Sequence, residues 1–326
     1  MDSKHISIII TCFNQKKFVE EAINSCFDQN LPADWRKAII VVDDGSTDQT
    51  PEILIKKFLL SPKDQTNIWQ NENLILIKEK NHERGASRNI GAFFALNRFH
   101  SKWLSFLDGD DCYAPDTFIK FIDRLNTLGK VKNLSALYAN GCLWFENNQL
   151  GQPLFKKPQR EGDLKRYVLN HVTLSTGRNL ISSQVFQNIK GFNENREMSG
   201  SEDWELCFRL SLQGPIFYSH HIAQLYRRHS DNTSGSRFET SIKKAMEEMN
   251  KVLQSMDSAH KNRDAKTLYS YGYSLISGSF NMDRQYSKAL LYLLKALRKN
   301  PHYIFYWDFW RRLGSIIWRF LKSVFR

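Results

Sequence analysis

The chain has 326 residues, enough for one large α/β domain with an appendage, and its 41% apolar content supports a full hydrophobic core. A net charge of +12 points to an anionic partner (a nucleotide, an acidic membrane surface or nucleic acid) and by itself does not choose among them. The five cysteines, Cys12, Cys26, Cys112, Cys142 and Cys207, are odd in number, widely spaced and without a C-x-x-C pair, which argues against a disulfide scaffold or zinc site and fits a reducing cytosol.

Met1 to His5 lead directly into an apolar run, Ile6 to Thr11, that is too short for a signal-peptide core and reads as the first strand. Phe18 to Phe27 has helical spacing, and Ala38 to Val42 is a second strand. Ser46-Thr47-Asp48-Gln49 has the form of a capping box opening a helix towards Leu60. Pro62 to Asn73 is polar and reads as a loop, Leu74 to Ile77 as a third strand, Ala86 to Leu96 as a helix and Trp103 to Leu107 as a fourth strand. Pro115 is expected to start a helix that runs to about Leu128. Strands and helices alternating at this pitch imply an α/β fold with a mainly parallel sheet flanked by helices. Leu134 to Phe145 mixes strand and loop signals, and residues 146–165 read as a surface excursion. Beyond about Glu239 the strand signals stop, and Ile242 to Met256, Ala265 to Ser277 and Tyr286 to Arg298 have helical periodicity. The last of these has the look of half a tetratricopeptide repeat, and a plain helical hairpin explains it with fewer assumptions. The expected division is therefore residues 1–238, a helical extension 239–300 and a tail 301–326.

The tail mixes aromatic residues with Arg311, Arg312, Arg319, Lys322 and Arg326. It reads either as a helix lying in a bilayer interface or as a terminal helix docked on the body through its aromatic stripe; the coincidence of apolar and basic residues leans to the membrane. No stretch reaches the roughly 20 apolar residues that span a bilayer.

Two clusters of aspartate close two of the apolar runs: Asp43-Asp44-Gly45-Ser46 follows Val42, and Asp108-Gly109-Asp110-Asp111 follows Leu107. In open α/β sheets the strand C-terminal ends line the ligand crevice, and carboxylates there suit a hard divalent cation and the hydroxyls or base of a nucleotide. An aspartate reads an imide N–H better than a neutral side chain does. Either Asp43 or Asp44 could do so, and an Asp-Gly turn capping the next helix accounts for one of the pair. Three aspartates in four residues repel one another, which makes a purely structural role for Asp108, Asp110 and Asp111 improbable without a cation. Thr11, Phe13 and Asn14 follow the first strand, where backbone groups and the Phe13 ring could wall a base; plain core packing accounts for that ring as well. Arg84 and Arg88, one turn apart, read as a solvated face as readily as a phosphate site.

These motifs, with Gly191-Phe192, Ser201-Glu202-Asp203-Trp204-Glu205 and Tyr226-Arg227-Arg228-His229, occur in an order that resembles the family 2 glycosyltransferases of the GT-A fold, across roughly residues 5–235. The resemblance implies an inverting transferase that moves a sugar from a nucleoside-diphosphate donor, most commonly a UDP-sugar, to a hydroxyl of a glycan or lipid-linked acceptor. It implies nucleotide contacts from Thr11, Phe13, Asn14, Asp43, Asp44, Arg84, Arg88, Asp108 and Asp110, and a Mn²⁺ or Mg²⁺ ion held by Asp110, Asp111 and His229. It implies Asp203 as the catalytic base, with Glu202 and Trp204 on the acceptor and sugar side. The Ser230-to-Ser236 segment is then a lid over the donor. The expected setting is cytoplasmic, with peripheral attachment to the inner face of the membrane through the tail. The contrasting reading is a non-catalytic nucleotide-sugar or glycan-binding module on the same fold. Nucleic acid is not expected as a partner, because no RNA-binding or helix-turn-helix signature is present. No G-x-G-x-x-G follows the first strand, so a dinucleotide-dependent dehydrogenase is excluded.

Overall fold

The computed structural model describes residues 4–63, 67–145, 149–156, 159–171, 174–229 and 236–324. In chain order the elements are β1 (Lys4–Cys12), α1 (Val19–Phe27), β2 (Trp35–Asp43), α2 (Thr50–Lys57), β3 (Ser61–Pro62), β4 (Ile68–Gln70), β5 (Leu74–Lys78), α3 (Arg84–Phe99), β6 (Trp103–Asp108), β7 (Cys112–Tyr113) and α4 (Thr117–Leu128). They continue with β8 (Ala136–Phe145), β9 (Leu150–Pro153), β10 (Asn179–Ser182), α5 (Ser183–Asn188), α6 (Glu202–Gln213), β11 (Ile216–Arg228), α7 (Ser236–Ser255), α8 (Lys261–Met282), α9 (Tyr286–Lys299) and α10 (Trp307–Val324). The chain forms two compact units: residues 1–164, 174–196 and 209–230, and residues 165–173, 197–208 and 231–326.

The first unit holds one sheet in the order β3-β4-β5-β2-β1-β6-β10-β8-β11-β7, with β9 paired to β8. The strands β5, β2, β1 and β6 are parallel, so the α/β expectation holds, and β10, β4 and β7 add antiparallel pairings. Both faces of a parallel sheet are covered, which is why β1 and β2 read as continuous apolar runs. Ile6, Ile8, Ile9 and Ile10 are wholly buried, as are Ile40, Val41 and Val42. Each such side chain contributes about 1.5–3 kcal/mol over leaving it in water. Helix α3 lies close on this sheet because position 91 is glycine: a Cβ there would come within 2.7 Å of Ile9 and 2.9 Å of Val42. The chain steps outward from β1 to β2 to β5, then returns to pair β6 on the other side of β1. That reversal is a topological switch point, and its crevice opens at the strand C-terminal ends.

Four local expectations give way to the structure. The capping box does not form: the Ser46 hydroxyl accepts the Asn14 amide at 2.8 Å, and Asp48 accepts the Thr50 amide at 3.1 Å to start α2. The polar stretch from Pro62 contains a short hairpin, β3 with β4. Pro115 lies two residues before α4, whose first residue is Thr117. Leu134 to Phe145 contains a ten-residue strand, because β8 is buried between β10 and β11 and tertiary pairing outweighs its weak local pattern.

The second unit contains α7 to α10, with α9 and α10 both against α8. Helix α8 turns small residues inward: Ser270, Gly272, Ser274 and Ser277 are buried. A Cβ at Gly272 would meet the Met246 sulfur at 2.1 Å, and one at Gly278 would meet the Arg312 guanidinium at 2.3 Å. Those close approaches let α7 and α10 share one narrow helix. Among the described residues, no helix is long and apolar enough to cross a membrane.

Candidate active site

The pairing register places the two aspartate clusters on either side of one strand end. Cys12 stands opposite Asp43 in β2, and Thr11 stands opposite Asp108 in β6. The backbone continues the grip: the Asp44 amide donates to the Cys12 carbonyl, and the Gly109 amide donates to the Thr11 carbonyl, each at 2.9 Å.

Asp43 and Asp44 part company here. Asp44 accepts from the His82 amide at 2.7 Å, the Glu83 amide at 3.1 Å and the Ser87 hydroxyl at 2.6 Å. These donors come from the entry and first turn of α3, whose N-cap Glu83 has a positive φ of 73°. Asp44 therefore caps a helix some forty residues downstream, not the helix that follows it. Asp43 accepts the Ser46 amide at 3.1 Å, and burial pushes its carboxyl above the ordinary value. Gly45 between Asp44 and Ser46 has a φ of +79°, and a Cβ there would sit 2.8 Å from the Asn81 amide nitrogen.

Phe13 is 46% exposed, so its ring is not a core residue. Asn14 beside it binds the second loop, its side-chain oxygen accepting the Thr47 amide at 2.7 Å. Thr11 is buried. Arg84 is exposed, but Arg88 is 2% exposed, so the pair is no solvated face. The Arg88 guanidinium donates to Asp108 at 2.7 Å and lies over the Phe192 ring at 5.3 Å. Thr176 donates to the other Asp108 oxygen at 3.0 Å. Burial would raise the Asp108 carboxyl, but the charges of Arg88 and Arg84 and these hydrogen bonds hold it below the usual range.

Asp108, Asp110 and Asp111 each offer an oxygen within 4.8 Å of the others. Their surroundings differ. Asp111 is 2% exposed, and both its oxygens accept from β11: Gln224 at 2.6 Å and the Arg227 amide at 2.9 Å. Burial, then the charges of Asp110 and Asp108, push its carboxyl well above the ordinary range. Asp110 is half-buried and lies 3.0 Å from Nε2 of His229, whose ring packs on Phe18 at 5.0 Å. An all-carboxylate cluster with one imidazole at hand fits a hard divalent ion. Gly109 lets the cluster lie close on the end of β1, since a Cβ there would meet the Cys12 Cβ at 2.9 Å and the Thr11 carbonyl at 3.2 Å.

Arg227 is the residue that sequence reasoning passed over. Its guanidinium donates to the Asp110 carbonyl at 2.9 Å, pairs with Glu21, and lies between Trp144 at 3.8 Å and Phe18 at 4.8 Å. It fixes the backbone of the aspartate loop. Its place two residues before His229 was the available signal; Thr176 and Gln224 carried none.

Glu202, Asp203 and Trp204 belong to the second unit and open α6. Trp204 is 1% exposed; its indole donates to the Val168 carbonyl at 2.7 Å and meets Tyr271 edge to face. Glu202 is 3% exposed and accepts the Gly200 amide. The indole is thus a packing residue, and the acceptor contact expected of Trp204 has no open ring face to use. Asp203 is half-buried, and its carboxylate accepts the Trp204 amide at 2.8 Å. Residues 230–235, most of the expected lid, lie outside the described residues.

The family profile "Glycosyl transferase family 2" matches residues 7–190. An uncharacterized glycosyltransferase of Rickettsia prowazekii is 25% identical over 235 residues, 71% of this chain and 66% of that protein's length. Chondroitin synthase of Escherichia coli is 24% identical over 234 residues, 70% of this chain and 30% of that protein. Among solved structures, S. aureus TarS 1-349 in complex with UDP-GlcNAc superposes with a TM-score of 0.63 at 17% identity, covering 97% of this chain and 89% of that one. A mannosyltransferase from Pyrobaculum calidifontis in complex with GDP-Man and Mn²⁺ gives 0.58 at 12% identity, covering 98% and 86%. With the profile spanning more than half of the chain and the GT-A architecture shared with these structures, the chain is a member of glycosyl transferase family 2.

Proposed function

We propose that the protein transfers a sugar from a nucleoside-diphosphate donor, UDP foremost, to a hydroxyl of a glycan or lipid-linked acceptor, with inversion at the anomeric carbon. The observation that carries this reading is the convergence of Asp43 and the Asp108–Asp111 cluster on the end of β1. The solved complexes of TarS with UDP-GlcNAc and of the Pyrobaculum enzyme with GDP-Man and Mn²⁺ support the donor class. A teichoic acid biosynthesis protein of Bacillus subtilis, 29% identical over 117 residues, supports a cell-envelope acceptor.

In this reading Asp43 accepts the base imide N–H and the exposed Phe13 ring covers the base. Asp110, with His229, holds a Mn²⁺ or Mg²⁺ ion. Such an ion neutralises the charge that gathers on the departing diphosphate as the glycosidic bond breaks. Asp108, kept ionised by Arg88 and Arg84, faces the ribose, and Asp111 ties the loop to β11. Asp203, in the first turn of α6, takes the proton from the acceptor hydroxyl as its oxygen attacks.

The test is UDP release from UDP-sugars with Mn²⁺, alongside donor affinity. Asp203→Asn should lower turnover by roughly 10²–10⁴-fold while leaving UDP affinity within about twofold. Equal turnover would remove Asp203 as base; absence of any turnover in the parent, with UDP still bound, would leave a binding module.

A further inference from the structure

Helix α10 has two faces. Asp308 clamps the inner one: it accepts from Ser274 at 2.9 Å, Tyr303 at 2.6 Å and Arg312 at 2.8 Å. Asn281 donates to Ser315 at 2.9 Å one helical stretch further on, and Phe309 and Ile316 are buried between. The helix is thus docked on α8, with Phe309 and Ile316 buried and Leu313 half-buried among its large apolar side chains.

The others point away. Trp307, Trp310, Ile317, Trp318, Leu321 and Val324 are between 47% and 78% exposed. At 100° per residue these six fall within an arc of about 120° opposite the docked face. Arg311 and Lys322 stand at one rim of that arc, with the Lys322 ammonium 4.9 Å from the Trp318 ring. The surface continues onto α9: Phe320 meets Tyr286 edge to face at 5.8 Å, and Leu290 and Leu294, both exposed, follow Tyr286 one and two turns along.

We infer that this outward face of α10 is a docking surface for an anionic lipid bilayer, lying in the boundary between headgroups and acyl chains. Tryptophan and leucine outward with lysine and arginine at the rim is the pattern of an interfacial helix, and α10 is too polar overall to span. Charge selects the lipid over a second copy of the chain. Within α10 Arg311, Arg319 and Lys322 are exposed, Arg312 is turned inward onto Asp308, and Asp308 is the one acidic residue, on a chain of net charge +12. Two such faces brought together would repel, whereas an acidic leaflet attracts them. The docking by Asp308 resolves the two readings of the tail: the helix packs on its own unit and keeps its aromatic stripe for another surface.

The experiment is co-sedimentation of the full chain with phosphatidylcholine vesicles, with and without roughly a third phosphatidylglycerol, read without donor or acceptor so that it stands apart from the transferase reading. The expected result is binding to the anionic vesicles at least about tenfold tighter than to the neutral ones, with a blue shift of tryptophan emission. Trp318→Ser with Leu321→Ser should weaken that binding by roughly tenfold or more at an unchanged melting temperature. Arg311→Gln with Lys322→Gln, which removes both rim charges, should abolish the preference for anionic lipid. Parent protein left in the supernatant with both vesicles, double variants that sediment like the parent, or a self-associated chain whose dimer, not vesicle binding, is lost on Trp318→Ser with Leu321→Ser would overturn the inference.

Discussion

One peptide bond separates Asp43, which accepts a neighbouring amide, from Asp44, which accepts three donors at the start of α3. The difference predicts a divergence between two alanine variants. Asp44→Ala strands buried donors and releases the strained Glu83 backbone, so it should lower unfolding free energy by roughly 2 kcal/mol or more in urea melts. Asp43→Ala removes a carboxyl already raised by burial, so its stability change should be smaller while UDP affinity, measured by calorimetry, falls tenfold or more. Reversed rankings would exchange the two roles. Phe13 shows why residue type alone left this open: the same aromatic after a strand serves a core or a base equally well, and its 46% exposure rules out the core.

For α10 the deciding residue is Asp308. Burial raises its carboxyl, but the charge of Arg312 and the hydrogen bonds from Tyr303, Arg312 and Arg311 outweigh that and hold it far below the ordinary range. An aspartate with a depressed folded-state pKa stabilises the fold at neutral pH, and the stabilisation is lost as pH falls below the unfolded value of about 3.9. The docking of α10, followed by near-ultraviolet dichroism of its tryptophans, should therefore weaken on acidification under about pH 4. Asp308→Asn should destabilise that docking by about 1–2 kcal/mol at neutral pH and flatten the acid dependence. An unchanged acid limb in the variant would assign it to other carboxylates. The helices themselves were readable from their 3.6-residue period, though α8 ran further at both ends than its pattern, because the polar first turn Lys261 to Asp264 and the mostly small and polar end Gly278 to Met282 carry little hydrophobic signal.

For the whole molecule, a ligand that binds only the folded state raises its melting point by mass action, about 2.7 kcal/mol at a hundred times the dissociation constant. UDP with Mn²⁺ should raise it more than UDP alone, and a chelator should return the shift to the UDP value. Equal shifts with and without metal would detach the Asp110–His229 pair from the donor. The sequence by itself determined the parallel core, the strand ends that carry aspartate, and the family order of motifs, because apolar runs and turn residues act locally and in chain order. It did not determine that Asp44 caps α3, that Arg88 is buried against Asp108, that Trp204 is filled by packing, or that Arg227 holds the aspartate loop. Those depend on partners 20 to 117 residues away in sequence, such as Asp108 with Arg88 and Asp110 with Arg227, whose meeting is fixed by strand register and helix packing. Only the tertiary structure sets which oxygens are already committed to protein donors and which remain for a ligand.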